Sequence, residues 1–149
     1  MKNIILLTII TLGIVSCNVD KFTPVFIQHK YANQSGADIR LYGIGEQYTN
    51  GVFMFNEQIP DGQTLVLDVM QVGKGNLRDY GLTICDSVSI LFNENKVLTF
   101  TMNSSPFNPL IPSNYECIHV KQGDYYIYEF TFTREMYDAA TPIDQPAEE

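Results

Sequence analysis

Two histidines, His29 and His119, and three cysteines, Cys17, Cys85 and Cys117, are the side chains that offer this chain a neutral-pH base, a nucleophile or a soft metal ligand. Nucleophilic catalysis needs a nucleophile beside an oriented base, and neither histidine falls in a nucleophile elbow or a metal motif. Both read as ordinary strand residues. Cys117-Ile118-His119 puts a thiol and an imidazole on one face of a strand, but zinc spacing demands a second pair, so no metal site is expected. Gly43-Ile44-Gly45 is followed by Tyr48 where a dinucleotide loop needs glycine, and Gly73-Lys74-Gly75 lacks the spacing that cradles phosphate. No cofactor is expected. Asn93-Glu94-Asn95 carries oxygen ligands without the glycine and terminal glutamate of a calcium loop, and reads as a hairpin tip. Glycosidases need two carboxyl groups at a defined separation. The 17 acids of this chain read as solvated surface, and no catalytic residue is assigned.

Tyrosine is the side chain abundant enough to carry binding, with nine copies. Its ring stacks on sugars or apolar partners while its hydroxyl bonds. Tyr126 and Tyr128 alternate with Phe130 and Phe132 and belong to a core face. Tyr31, Tyr42, Tyr48, Tyr80 and Tyr115 fall near expected strand ends or loops and are the candidates for an exposed aromatic patch. With 17 acids against 9 bases the formal charge is −8, which repels nucleic acid. Nucleic acid is excluded as a partner.

The elements that must position these residues are short and β-rich. Val25–Tyr31 and Ala37–Gly43 flank Asn33-Gln34-Ser35-Gly36, a turn cluster that makes a hairpin or a sandwich corner. Val52–Gln58 and Thr64–Met70 flank Ile59-Pro60-Asp61-Gly62, with Leu65, Leu67 and Val69 on one face. Leu82–Cys85 and Ser87–Phe92 are apolar runs forming one bent strand or two. Val88, Ile90 and Phe92 then alternate against Leu98, Phe100 and Met102 across a polar tip, the clearest hairpin of the chain. The prolines at 106, 109 and 112 force Asn103–Pro112 into an irregular crossing between sheets. Tyr115–Val120 and Tyr125–Thr133 form a last hairpin, followed by a short helix over Arg134–Ala140 with Thr133 as N-cap and Pro142 as its stop. About eight strands without a long helical period predict an all-β fold. The expected form is an antiparallel, immunoglobulin-like β-sandwich with a short C-terminal helix, favoured over an eight-stranded barrel because of the proline-rich crossover.

At the N-terminus, Lys2 precedes an uncharged apolar run from Ile4 to Val15 that ends at Ser16-Cys17-Asn18. That is the profile of a signal peptide and is too short for a comfortable membrane span. Ile14-Val15-Ser16-Cys17 resembles the lipobox of bacterial lipoproteins, with Ile14 where the family usually has leucine. The resemblance implies cleavage after residue 16, acylation of Cys17 and a membrane partner through that lipid anchor; two or three fatty chains hold stably. The expected organisation is a signal peptide over 1–16, a lipidated N-terminus and tether over 17–23, a sandwich domain over 24–140 and a disordered acidic tail over 141–149.

With Cys17 lipidated, Cys85 and Cys117 are left in a compartment where disulfides persist, either bridged or as two separate buried thiols. A bridge would contribute about 3 kcal/mol by restricting the unfolded chain. Asp86-Ser87-Val88 resembles the O-glycan acceptor of Bacteroidota exported proteins, which implies a sugar on Ser87. The alternative is a plain strand start. Together with Asp86–Phe92, Asn108-Pro109-Leu110 and Tyr128–Thr133, the chain resembles small Bacteroidota cell-envelope lipoproteins. That resemblance implies an outer-membrane lipoprotein, its face left open, and no particular reaction. The expected function is a non-enzymatic binding or accessory module for a protein or glycan partner. The competing readings are a small hydrolase or inhibitor acting on glycans, and a structural subunit of an outer-membrane assembly.

Overall fold

The computed structural model describes residues 25–45, 53–72, 81–104, 106–120 and 124–143. The expected leader and tether, with Cys17, and also Tyr48, Tyr80 and the tail from 144 lie outside the described residues. Among the described residues ten strands form two sheets that do not close into a barrel, which sets aside the eight-stranded alternative and leaves an all-β sandwich.

The first sheet is built on β1 (Val25–Gln34), whose edge is shared by β4 (Thr64–Val66) and β5 (Met70–Val72), and on the hairpin of β8 (Glu116–Val120) and β9 (Tyr125–Thr133). The second sheet runs β10 (Thr141–Pro142), β7 (Lys96–Thr101), β6 (Ser87–Phe92), β2 (Ile39–Ile44), β3 (Phe53–Ile59). Every pairing is antiparallel except β1 with β9, which run parallel in register from Phe26 beside Tyr125 to Gln34 beside Thr133. Burial alternates along β1, β2 and β6, and Ile27, Tyr31, Ile39, Leu41, Val88, Ile90, Phe92, Phe130 and Phe132 fill the space between the sheets. Each such side chain contributes roughly 1.5–3 kcal/mol of transfer free energy, and together they outweigh weak local propensity.

The Asn33–Gly36 cluster is a corner rather than a hairpin, since β1 and β2 lie in different sheets. Buried Asn33 ties it down: Nδ2 donates to the carbonyls of Ala37 (2.8 Å) and Ile59 (2.9 Å), and Oδ1 accepts from the Ser35 hydroxyl (2.7 Å). Satisfying a buried amide this fully is what lets the chain turn inside the protein.

Three expected elements come out differently. Thr64–Met70 is broken into β4 and β5; Gln28 Nε2 donates to the Leu67 carbonyl (3.2 Å) between them, and Val69 faces solvent. Leu82–Cys85 is no strand, because Gly81, at φ +66°, turns the chain into a 3-10 turn over Gly81–Ile84. Residues 141–143, expected to start a disordered tail, instead pair with the open edge of β7; the Ile143 N–H reaches the Asn95 carbonyl at 2.8 Å. Helix α1 (Arg134–Ala139) stands where the composition predicts it and ends at Ala140, but Thr133, at the N-cap position, makes no side-chain cap bond.

Candidate functional site

Strand register places His29, Cys117 and His119 on one face of the first sheet, buried at His29 and exposed at Cys117 and His119 on the edge strand β8. His29 of β1 and Cys117 of β8 both lie directly beside Tyr128 of β9, so the three form one row across three strands. In the next row His119 lies beside Tyr126, their rings stacked at 4.7 Å and 18°. His29 is buried among phenols: Tyr128 stacks on it at 5.7 Å, Tyr115 meets it edge-on at 5.6 Å, and the Tyr31 oxygen sits 3.5 Å from Nδ1. Its Nε2 has no hydrogen-bond partner among the described residues.

Burial decides the charge state of this cluster. Desolvation lowers the His29 imidazole from 6.5 to about 4, so it is neutral at physiological pH. The same cause pushes Tyr31 up to about 12. It also pushes the Cys85 thiol up to about 11, with Asp86 adding to the effect. Tyr128 rises to about 12 through burial first and the neighbouring Cys117 thiol second. The Tyr31 hydroxyl accepts the Leu82 N–H at 2.8 Å, which seats the 3-10 turn on the cluster. The thiolate, not the thiol, is the nucleophile, and a base is most effective with its pKa near the working pH. Cys85 and His29 are tuned away from both conditions.

The expected aromatic patch is not assembled. Tyr31 is fully buried at 0% exposure and Tyr115 is buried at 7%. Tyr31 lies in mid-strand because β1 continues to Gln34, and Tyr115 turns inward beneath the crossing. Of the five, Tyr42 alone is described on an outer face, half-buried with its hydroxyl 3.3 Å from Arg40. Cys85 and Cys117 are both free, and of the two expected arrangements neither is met in full: Cys85 is buried behind Gly43, whereas Cys117 is exposed on an edge strand. Ser87 opens β6, half-buried between Ile44 and Thr101. Among the described residues no group of three possible ligands gathers around a metal position.

The crossing from β7 to β8 builds a second kind of site. Buried Asn108 holds it, with Nδ2 donating to the carbonyls of Thr101 (2.6 Å) and Ser104 (3.0 Å) and Oδ1 accepting from the Leu110 N–H (3.0 Å). The Tyr115 hydroxyl donates to the Pro109 carbonyl at 2.6 Å. This clamp leaves Phe107 outside, 53% exposed and at φ +63°, a backbone region costly for a bulky residue. A cleft of about 500 Å³ lies on one side of Pro106-Phe107, toward β7 and α1, where Phe100, Ser104, Glu135 and Met136 line it. A second cleft, of about 340 Å³, shares Pro106 and Phe107 and is lined by Asn114, Glu116, Glu129 and Thr131. Glu116 and Glu129 are register partners across β8 and β9.

Sequence reasoning missed Phe107 and the acids beside it. The available signal was an aromatic residue inside a proline-bounded stretch, where no strand can bury it. No protein-family model, curated protein or solved structure matches the chain.

Proposed function

We propose that the chain is a lipid-anchored protein of the bacterial cell envelope whose β-domain is a non-enzymatic binding or accessory module for a protein or glycan partner. The observation that carries the binding role is the state of Cys85 and His29. Both are buried and uncharged, so the interior groups best suited to covalent or acid-base chemistry serve packing instead. What is left to the domain is surface, above all the clefts around the proline-rich crossing. The run Ile4–Val15 followed by Ser16-Cys17 supports the anchor, and the charge of −8 fits a partner other than nucleic acid. Tyr115 supports an immunoglobulin-like relationship: it precedes a strand and bonds back to a carbonyl upstream, as the tyrosine corner of that fold does.

The anchor is tested by detergent phase separation of native protein. Wild type is expected in the detergent phase with an acylated Cys17 by mass spectrometry, and Cys17→Ser in the aqueous phase. An intact Met1 on wild-type protein would remove the anchor from the reading.

One observation favours a glycosidase as a second reading. Glu116 and Glu129 are register partners on neighbouring strands and line one cleft, so two carboxyl groups share it. Retaining glycosidases hold their carboxyl groups at about 5–5.5 Å. Such an enzyme also keeps one carboxyl protonated in a buried site, whereas Glu116 is exposed. Shortening of an oligosaccharide by wild type, lost in Glu129→Gln, would favour the enzyme.

A further inference from the structure

We propose that Pro106-Phe107 and the two clefts beside it form a binding site for a neutral oligosaccharide, with a sugar ring stacked on Phe107. This names the partner class of the module proposed above and rests on that reading. Phe107 is turned outward although Asn108 and Leu110 beside it, and Tyr115 at the end of the crossing, are all buried. Its positive φ adds backbone strain to the exposure, and strain of this kind concentrates at functional positions. The fold therefore holds an apolar ring in water where local packing offers it an interior.

The surroundings of the ring select the ligand. Clefts of about 500 and 340 Å³ fall in the size range of small-ligand sites, and both contain Pro106 and Phe107, so a ligand with repeating units spans them over the ridge. Asn103 on one side and Thr131 on the other supply neutral donors and acceptors, and Asn114 adds its amide oxygen, its Nδ2 being committed to the Asn108 carbonyl; Thr99 and Ser104 are already bonded to Ser89 and Thr101. A protein hot spot is a contiguous, desolvated cluster of apolar or arginine anchors. Here Leu98, Phe100, Met136 and Ala139 floor the larger cleft, while Pro106 and Phe107 form a narrow ridge rimmed by polar side chains, which matches a sugar with one C–H face and a rim of hydroxyls. Charge narrows the class further. Glu135, Glu116 and Glu129 are placed to accept bonds from hydroxyls, and with Lys30 of β1, beside Glu129, as the neighbouring cation the lining keeps an excess of acids, which disfavours uronic-acid or sulfated glycans.

The test uses the full lipidated protein in detergent micelles, titrated calorimetrically with maltohexaose, cellohexaose, mannohexaose and xylohexaose, with hexagalacturonate as the anionic counterpart. At least one neutral hexasaccharide is expected to bind, with hexagalacturonate silent. Phe107→Trp should keep that affinity. Phe107→Gly, which suits the positive φ, should lose it tenfold or more with no loss of thermal midpoint. Binding that survives Phe107→Gly, or no binding by any neutral hexasaccharide, overturns the assignment. In the second case a photo-crosslinking residue at position 107 in intact cells separates the two failures. A single crosslinked protein leaves the module standing with a protein partner, and none removes the module at this surface as well. Hexasaccharides returned shortened would overturn the non-enzymatic reading while leaving the glycan site.

Discussion

His29 carries the clearest pH signature of any single residue. Its folded pKa of about 4 lies below the ordinary 6.5, so between those values the unfolded chain takes up a proton that the folded chain refuses. Stability is therefore full above about pH 6.5 and declines as pH falls toward 4, by about 3 kcal/mol at most. Urea midpoints at pH 7, 5.5 and 4.5 should fall in that order, and His29→Phe should remove most of the slope. A wild-type midpoint flat across this range would mean that the imidazole is solvated. The residue scale is also where the sequence was least legible. Tyrosine is amphipathic, and its exposure is set by partners far along the chain. By local pattern Tyr31 falls at a strand end, and its burial depends on Asn33, which bonds the carbonyls of Ala37 and Ile59 and keeps β1 extended through Gln34. Free thiols tell the same story: buried Cys85 should react with a thiol reagent only after denaturation, while exposed Cys117 reacts in the native protein.

Elements were legible where their pattern is self-contained. The β6–β7 hairpin follows from alternation alone, and Val88, Ile90 and Phe92 are each fully buried, although Met102, expected beside them, is exposed beyond the end of β7. The crossing was legible from its prolines, since a residue without an N–H cannot serve a central ladder. Its internal clamp was not, because it depends on side-chain geometry. That clamp makes a graded prediction. Tyr115→Phe removes one bond to the Pro109 carbonyl and should cost about 1–2 kcal/mol. Asn108→Ala strips partners from Thr101, Ser104 and Leu110 at once and should cost more, with both read from thermal or urea unfolding. β2 makes a second prediction of this kind. A Cβ at Gly43 would lie 2.5 Å from Cys85 Sγ and 2.9 Å from Phe55 Cβ, so Gly43→Ala overpacks the core by about 1–3 kcal/mol.

At the scale of the molecule, two stacked sheets followed from strand count and turn spacing, whereas the pairing that holds the first sheet together did not. β1 and β9 stand near opposite ends of the described chain and run parallel, and no local pattern announces a partner that distant. Each has a neighbour on both sides, while β4, β5, β8, β3 and β10 are edges. Amides in a ladder flanked on both sides exchange only when the whole fold opens, and edge strands open locally. Hydrogen exchange should therefore show β1 and β9 protected to the full unfolding free energy, with β10 and β4 exchanging through smaller openings. The same topology sets the folding rate, because the loop joining β1 to β9 must close before that ladder can form. The main refolding phase should fall in the range of milliseconds to seconds, and variants in β1 such as Ile27→Val should slow it more than Leu98→Ala on β7 does per unit of lost stability. The opposite ranking would place the nucleus in the local β6–β7 hairpin and make the parallel ladder a late addition.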